Sequence, residues 1–294
     1  MVALSSALLG LATVLQAPQP PAAATEAYPF AAPLPSCVLQ RYDWARHVVM
    51  PPNAARRSLD PASPRGSQVH KFGTDNRHHG QDAAATAFVD TFLADAIPLT
   101  TDAHTVLFGA LLALEAWPNG FAIDLGAGVG RSSNLIAAVF SRNVVLALDT
   151  YAGLPFLWRR TDTGDFPIGT FAPRSTAGGD RQPPFPTLDN VLAVKGLFID
   201  TLPKILPAMA GIPLALVHVD SDVYASAIDG LTPLLPLLRV GTVLIFDEFY
   251  NFAGWEDGEY RAFLELIQGR GFGVRAVAYN AYHQQVVLQI TQLP

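Results

Sequence analysis

A single cysteine, Cys37, stands in a chain of 294 residues. That excludes an internal disulfide framework and a cysteine-built zinc site, and it suits a reducing compartment. Charge is scarce too: 15% of the residues are charged, and the balance is −6 with no surplus of Lys and Arg. A nucleic-acid binder needs a basic footprint, so no such partner is expected and a small-molecule substrate is. Long apolar runs are also missing. The segment VALSSALLGLATVL at 2–15 is too short to span a bilayer, so no stable membrane span is expected. Ala- and Pro-rich residues follow it as in a signal-peptide tail, yet no Lys or Arg precedes Arg41, and a cleaved signal normally has a basic start. The chain is read as cytoplasmic, with export or organelle import through residues 1–25 as the alternative.

What is present is a globular composition, 50% hydrophobic, long enough for one large domain plus an extension. Residues 16–68 carry many prolines and little periodicity, and 1–80 is read as an N-terminal extension of low regularity. The domain proper is placed at 81–294. Its first part, 82–116, has helical spacing in two blocks, broken by Pro98 and restarted by Thr101 and Asp102. Beyond residue 120, apolar β-branched runs near 121–126, 144–149, 190–195, 214–220, 242–248, 272–279 and 284–290 alternate with helical runs near 132–140, 199–209, 223–238 and 256–269. This is the pattern of an α/β fold: a doubly wound, mostly parallel, seven-stranded sheet covered on both faces. The tight NAYH link before the last strand predicts an antiparallel hairpin at the C-terminal end. Residues 160–188, rich in Gly, Pro and Thr, form a long connection of the kind that builds lids and binding loops.

The chemistry concentrates in two places. In FAIDLGAGVGR, 121–131, a strand ending on Asp124 enters a turn made by Gly126, Gly128 and Gly130 and then a helix that Ser132 or Ser133 is able to cap. Such a turn leaves backbone N–H groups and a positive helix end facing a crevice, where a small polar cofactor belongs. Arg131 stands where a dinucleotide fingerprint wants its third glycine. VVLALDT, 144–150, ends on Asp149, placed to accept hydrogen bonds from ribose hydroxyls. The second place is a pair of strand ends: LALVHVDSDVY delivers Asp220 and Asp222, and TVLIFDEFY delivers Asp247 and Glu248. Both ends belong beside the same crevice. Four converging carboxylates need a cation or protons, and hard oxygen donors suit magnesium, calcium or manganese. The competing view is that Asp222 and Asp247 cap the helices that follow. His218 shares a strand face with Asp220 and is either a core residue or a catalytic one.

The glycine spacing with Asp124 resembles motif I of the S-adenosylmethionine-dependent methyltransferases. The order of motifs across 120–265 is similar to the macrocin O-methyltransferase family, whose members methylate sugar hydroxyls of macrolides and aminocoumarins. Beyond AIDLGAGVGRSSNLIA these are LDTYAGLPFLW, GDFPIGTFA, NVLAVKGLFIDTLP, HVDSDVYAS and FDEFYNFAGW. The resemblance implies a class I methyltransferase sheet and S-adenosylmethionine contacts at Gly126, Gly128, Arg131, Ser132, Asp149 and Gly196. It also implies Mg2+ or a similar ion on Asp220, Asp247 and Glu248, with Asp222 as general base. The family usually has two aspartates in the acidic pair and Glu at the place of Ala225. FGTDNRHHG, 72–80, faintly resembles a GTD element of related methyltransferases, and His78 and His79 fit surface loops or substrate contacts equally well. The expected activity is methyl transfer to a hydroxyl of a small sugar or natural-product acceptor. The rivals are an NAD-dependent oxidoreductase and a non-catalytic scaffold. Oligomeric state stays open, a homo-oligomer being compatible.

Overall fold

The computed structural model describes residues 83–99, 101–160, 162–172 and 188–294. The readings made on residues 1–80, including the apolar start, the arm, His78 and His79, lie outside these residues.

One sheet organises the domain. Its strands are β1 (Ile97–Leu99), β2 (Phe121–Leu125), β3 (Val145–Asp149), β4 (Val191–Lys195), β5 (Leu214–Val219), β6 (Val243–Phe246), β7 (Gly273–Asn280) and β8 (Val286–Gln292). Their order is β1-β7-β8-β6-β5-β2-β3-β4. All pairings are parallel except those of β8, which runs antiparallel to both β6 and β7. Among the described residues the sheet therefore has eight strands rather than the expected seven. The extra one is β1, at the Pro98 break between two helices. Proline is tolerated there because the strand lies at the sheet's edge, with β7 as its one neighbour.

Helices α1 (Ala83–Thr91), α2 (Asp102–Ala116), α3 (Arg131–Val139), α4 (Phe198–Ile205), α5 (Tyr224–Leu231) and α6 (Glu259–Phe263) cover the sheet. Thr101 caps α2 as the sequence suggests, its hydroxyl accepting from the His104 N–H at 3.2 Å. The long helical runs end early. Prolines convert the ends of α4 and α5 into 3-10 turns at 206–209 and 232–237, since a ring at Pro207, Pro233 or Pro236 cannot donate into an α-helical ladder. The strands β2, β5 and β6 are buried along their whole length, which is why they read as continuous apolar runs. Above one end, Phe88 of α1 lies 5.2 Å from Trp255 and 5.8 Å from Tyr250, centroid to centroid, and so pins the first helix to the loops after β6.

From β2 the chain winds outward through β3 to β4, then returns to the other side of β2 to lay down β5. Strand order reverses at the β2–β5 junction, where an open α/β sheet holds its ligand outside the carboxyl ends.

Candidate active site

The junction is closed by backbone. Gly126 has φ +93°, and a Cβ at this position would stand 1.6 Å from the carbonyl oxygen of Asp220. The Asp220 N–H donates to the Leu125 carbonyl at 2.8 Å, so the glycine turn and the first acidic loop are fastened together. Only glycine permits this approach. Gly128 and Gly130 are also left-handed, and Gly130 leads into α3 without any side-chain cap. This corrects the expectation for Ser132 and Ser133. Both hydroxyls donate to the Asp124 carboxylate instead, Ser132 at 2.8 Å. A buried carboxylate is a stronger acceptor demand than a helix end open to a crevice.

Asp124 is fully buried, and its other oxygen lies 2.7 Å from Nδ1 of His218. Burial alone would raise its pKa, but the hydrogen bond and charge of His218, with the two serines, hold it below the ordinary value. For His218 burial works downward, and the bond to Asp124 together with the charges of Asp124, Asp247 and Glu259 carries it above its ordinary value. Nε2 of His218 is buried with no hydrogen-bond partner.

A cavity of about 790 Å³ opens over this junction, ample for a nucleoside-sized ligand. Of the residues singled out in the sequence, Gly126, Gly128, Arg131, Ser132, Asp149, His218, Asp220, Asp222 and Asp247 line it. Asp124, Gly130, Gly196 and Glu248 do not. Asp149 sits at the end of β3, its carboxylate accepting from Gly128 N–H at 2.8 Å and from Tyr151 N–H, while burial raises its pKa. Leu154, Pro155, Phe156 and Phe171 form an apolar wall from the connection after β3. An isolated bridge between Trp158 and Phe166 folds that connection back on itself, and Arg160 stacks over Trp158 at 4.9 Å and Phe252 at 4.4 Å.

The acids gather in two overlapping sets that share Asp220, with Asp247 in one and Glu248 in the other. Ligand atoms of Asp220, Asp222 and Glu248 lie within 4.8 Å of one another, and so do those of His218, Asp220 and Asp247. Like charges at such spacing repel by roughly 3–4 kcal/mol at an effective dielectric near 20. Burial first, and then this mutual repulsion, pushes Asp220 and Glu248 well above the carboxylate range and Asp222 up to about 8. Burial likewise raises Asp247, against the opposing pull of His218. The capping alternative fails for Asp222 and Asp247. α5 is preceded by Val223 without a side-chain cap, Asp222 has φ +63°, and no helix starts directly behind Asp247. A non-glycine residue held in the left-handed region costs about 1–3 kcal/mol and clusters at functional sites.

Glu259 was not singled out. It is fully buried at the start of α6, where one oxygen accepts from Ser221 N–H at 2.8 Å and Ser221 Oγ at 3.0 Å, and the other from Glu248 N–H at 3.2 Å. Burial sets its pKa near 7. No motif announces it, because a glutamate in a helical stretch is the commonest of surface residues.

The donor set is suited to a hard divalent cation: three half-buried carboxylates, Asp220, Asp222 and Asp247, that repel one another, and a buried Glu248 whose Oε2 has no hydrogen-bond partner.

This sheet order, the glycine turn at its switch point and the acid at the end of the next strand define a class I S-adenosylmethionine-dependent methyltransferase. The chain belongs to the macrocin O-methyltransferase family (TylF), whose model matches residues 55–257, and it is accordingly an O-methyltransferase. The match begins ahead of the motifs that carry the resemblance and takes in residues 55–119. Among solved structures, the calicheamicin methyltransferase CalS11 is similar with a TM-score of 0.50 and 19% identity, over 80% of this chain and 96% of that one. The O-methyltransferase NovP gives 0.42 and 20%, over 64% and 80%. An O-methyltransferase from Bacillus cereus in complex with SAH gives 0.41 and 18%, over 71% and 97%. At 19% identity the likeness to CalS11 shows the fold alone. No curated protein matches the chain. The oxidoreductase and scaffold alternatives gain no support from these matches. Among the described residues no helix is long and apolar enough to cross a membrane.

Proposed function

We propose that the enzyme methylates a hydroxyl of a sugar or sugar-bearing natural product in the cytoplasm, with help from a divalent cation. One observation carries this reading: Asp220 and Asp222 after β5, Asp247 after β6 and the glycine turn after β2 open into the same cavity. The acceptor class rests on the family, and the net charge of −6 favours a small molecule over nucleic acid.

In this reading Gly126, Gly128, Arg131 and Ser132 border the methyl donor and Asp149 takes its ribose hydroxyls, while Gly196 stands behind the lining with its N–H on the Asp149 carbonyl at 2.9 Å. Asp124 supports the turn from behind. Asp220, Asp247 and Glu248 would hold Mg2+ or a related ion, which when bound lowers the pKa of an acceptor hydroxyl. Asp222, at the cavity wall, takes the hydroxyl proton in its ionised form, which a cation held beside it would favour against the burial that raises its pKa to about 8. The oxygen then attacks the methyl carbon in line, the new C–O bond forming as the C–S bond to the sulfonium breaks. Aliphatic hydroxyls are poor nucleophiles, so fixing donor and acceptor in line and removing the proton are the two tasks left to the protein.

Treatment with a chelator is expected to abolish methyl transfer, and added magnesium to restore it. Turnover that survives exhaustive chelation would remove the cation from the reading. Asp149→Ala is expected to weaken the methyl donor by about 1.5–3 kcal/mol for each charge-assisted hydrogen bond lost. Isothermal titration checks this, and an unchanged dissociation constant would put the ribose elsewhere.

A further inference from the structure

His218 has no task in the mechanism above. It is 1% exposed, lies on β5 and faces the cavity. Its Nδ1 is occupied by Asp124 at 2.7 Å, and Asp124 is itself held by the hydroxyls of Ser132 and Ser133. The ring is thereby fixed from behind, and Nε2 is left buried without a partner. A buried polar atom in that state costs about 1–3 kcal/mol unless something meets it. A ring nitrogen of His218 and one oxygen each of Asp220 and Asp247 lie within 4.8 Å of one another. Neither oxygen is hydrogen-bonded to Nε2, and ligand atoms about 2.1 Å from a shared ion can stand up to about 4.2 Å from each other. A carboxylate behind a histidine, with the other ring nitrogen turned to a cation, is the common outer-shell arrangement of metal-ligating imidazoles.

We infer that Nε2 of His218 is a nitrogen ligand of the divalent cation, beside Asp220 and Asp247. The inference rests on the cation-assisted reading and goes beyond its all-oxygen ligand set. Metal binding takes the place of a proton on Nε2, and no other step is required. Its chemical consequence is selectivity. Imidazole favours ions such as Co2+ and Zn2+, whereas an all-carboxylate site suits Mg2+ and Ca2+.

The test uses the full chain loaded with Mn2+, whose electron spin echo envelope is modulated by a directly bonded imidazole nitrogen. Modulation from nitrogen-14 is expected in the ordinary protein, replaced by the nitrogen-15 pattern when histidine is isotopically labelled. It should be absent in His218→Gln. Calorimetry should also show the preference for Co2+ over Mg2+ falling at least tenfold in that variant. If His218→Gln does not fold, judged by its loss of methyl-donor binding, His218→Asn takes its place, since labelling alone shows only that one of the seven histidines is bound. Mn2+ bound with Asp220-dependent affinity but without nitrogen modulation would overturn the inference and leave the cation reading standing. Modulation that persists in His218→Gln would overturn it as well. No Mn2+ binding at all would overturn both.

Discussion

Asp222→Asn is expected to cut kcat by roughly a hundredfold or more while leaving methyl-donor and metal affinity nearly intact, as follows from losing a general base. Asparagine keeps the size of the side chain and also tolerates the left-handed backbone seen at φ +63°, so the loop should survive the change. Asp220→Asn should behave differently: its carboxylate lies in both clusters of donor atoms, and metal affinity should fall first. Measuring both constants in both variants separates the roles. If Asp222→Asn loses the metal and keeps full kcat at saturating ion, the base lies elsewhere.

A second large effect is expected at the switch point. Gly126→Ala would place a methyl group 1.6 Å from the Asp220 carbonyl oxygen, on a backbone at φ +93°. Backbone cannot yield there without parting β2 from β5, so the loss of stability should exceed about 4 kcal/mol, the range of exceptional single changes. Gly211→Ala isolates the conformational part: its φ is +82° and a Cβ would meet nothing within 4 Å. It should cost about 1–2 kcal/mol. Denaturant unfolding of the two variants gives the comparison. Near-equal losses would mean that the tight contact at Gly126 relaxes freely.

The layout was legible in the sequence where chemistry and period agree. Buried runs such as LVHV and VLIF announce central parallel strands, and the acids that end them fall at the same sheet edge because parallel strands all point one way. The glycine turn was legible because few residues tolerate its backbone. Other features depend on partners far along the chain. That Asp124 turns inward to His218, 94 positions away, cannot be read from local spacing. Nor can the diversion of Ser132 and Ser133 from capping to that same carboxylate, since a serine before a helix reads identically in both cases. The edge strand β1 was hidden by Pro98, whose usual meaning is an interruption. Glu259 had no signal at all, because its partners are backbone N–H groups brought together by the fold.

Glu259 has an effect on how such an enzyme can change over generations. Its two oxygens hold the backbone at Ser221 and at Glu248, one on each acid-bearing loop, from a helix outside the cavity wall. The distance between the two loops is thus inherited as one unit, and neither can lengthen alone without releasing the other. Among the described residues, the wall from Leu154 to Phe171 makes no hydrogen bond to α6. New acceptors can be tried there by ordinary loop drift while the reacting end of the cavity keeps its dimensions.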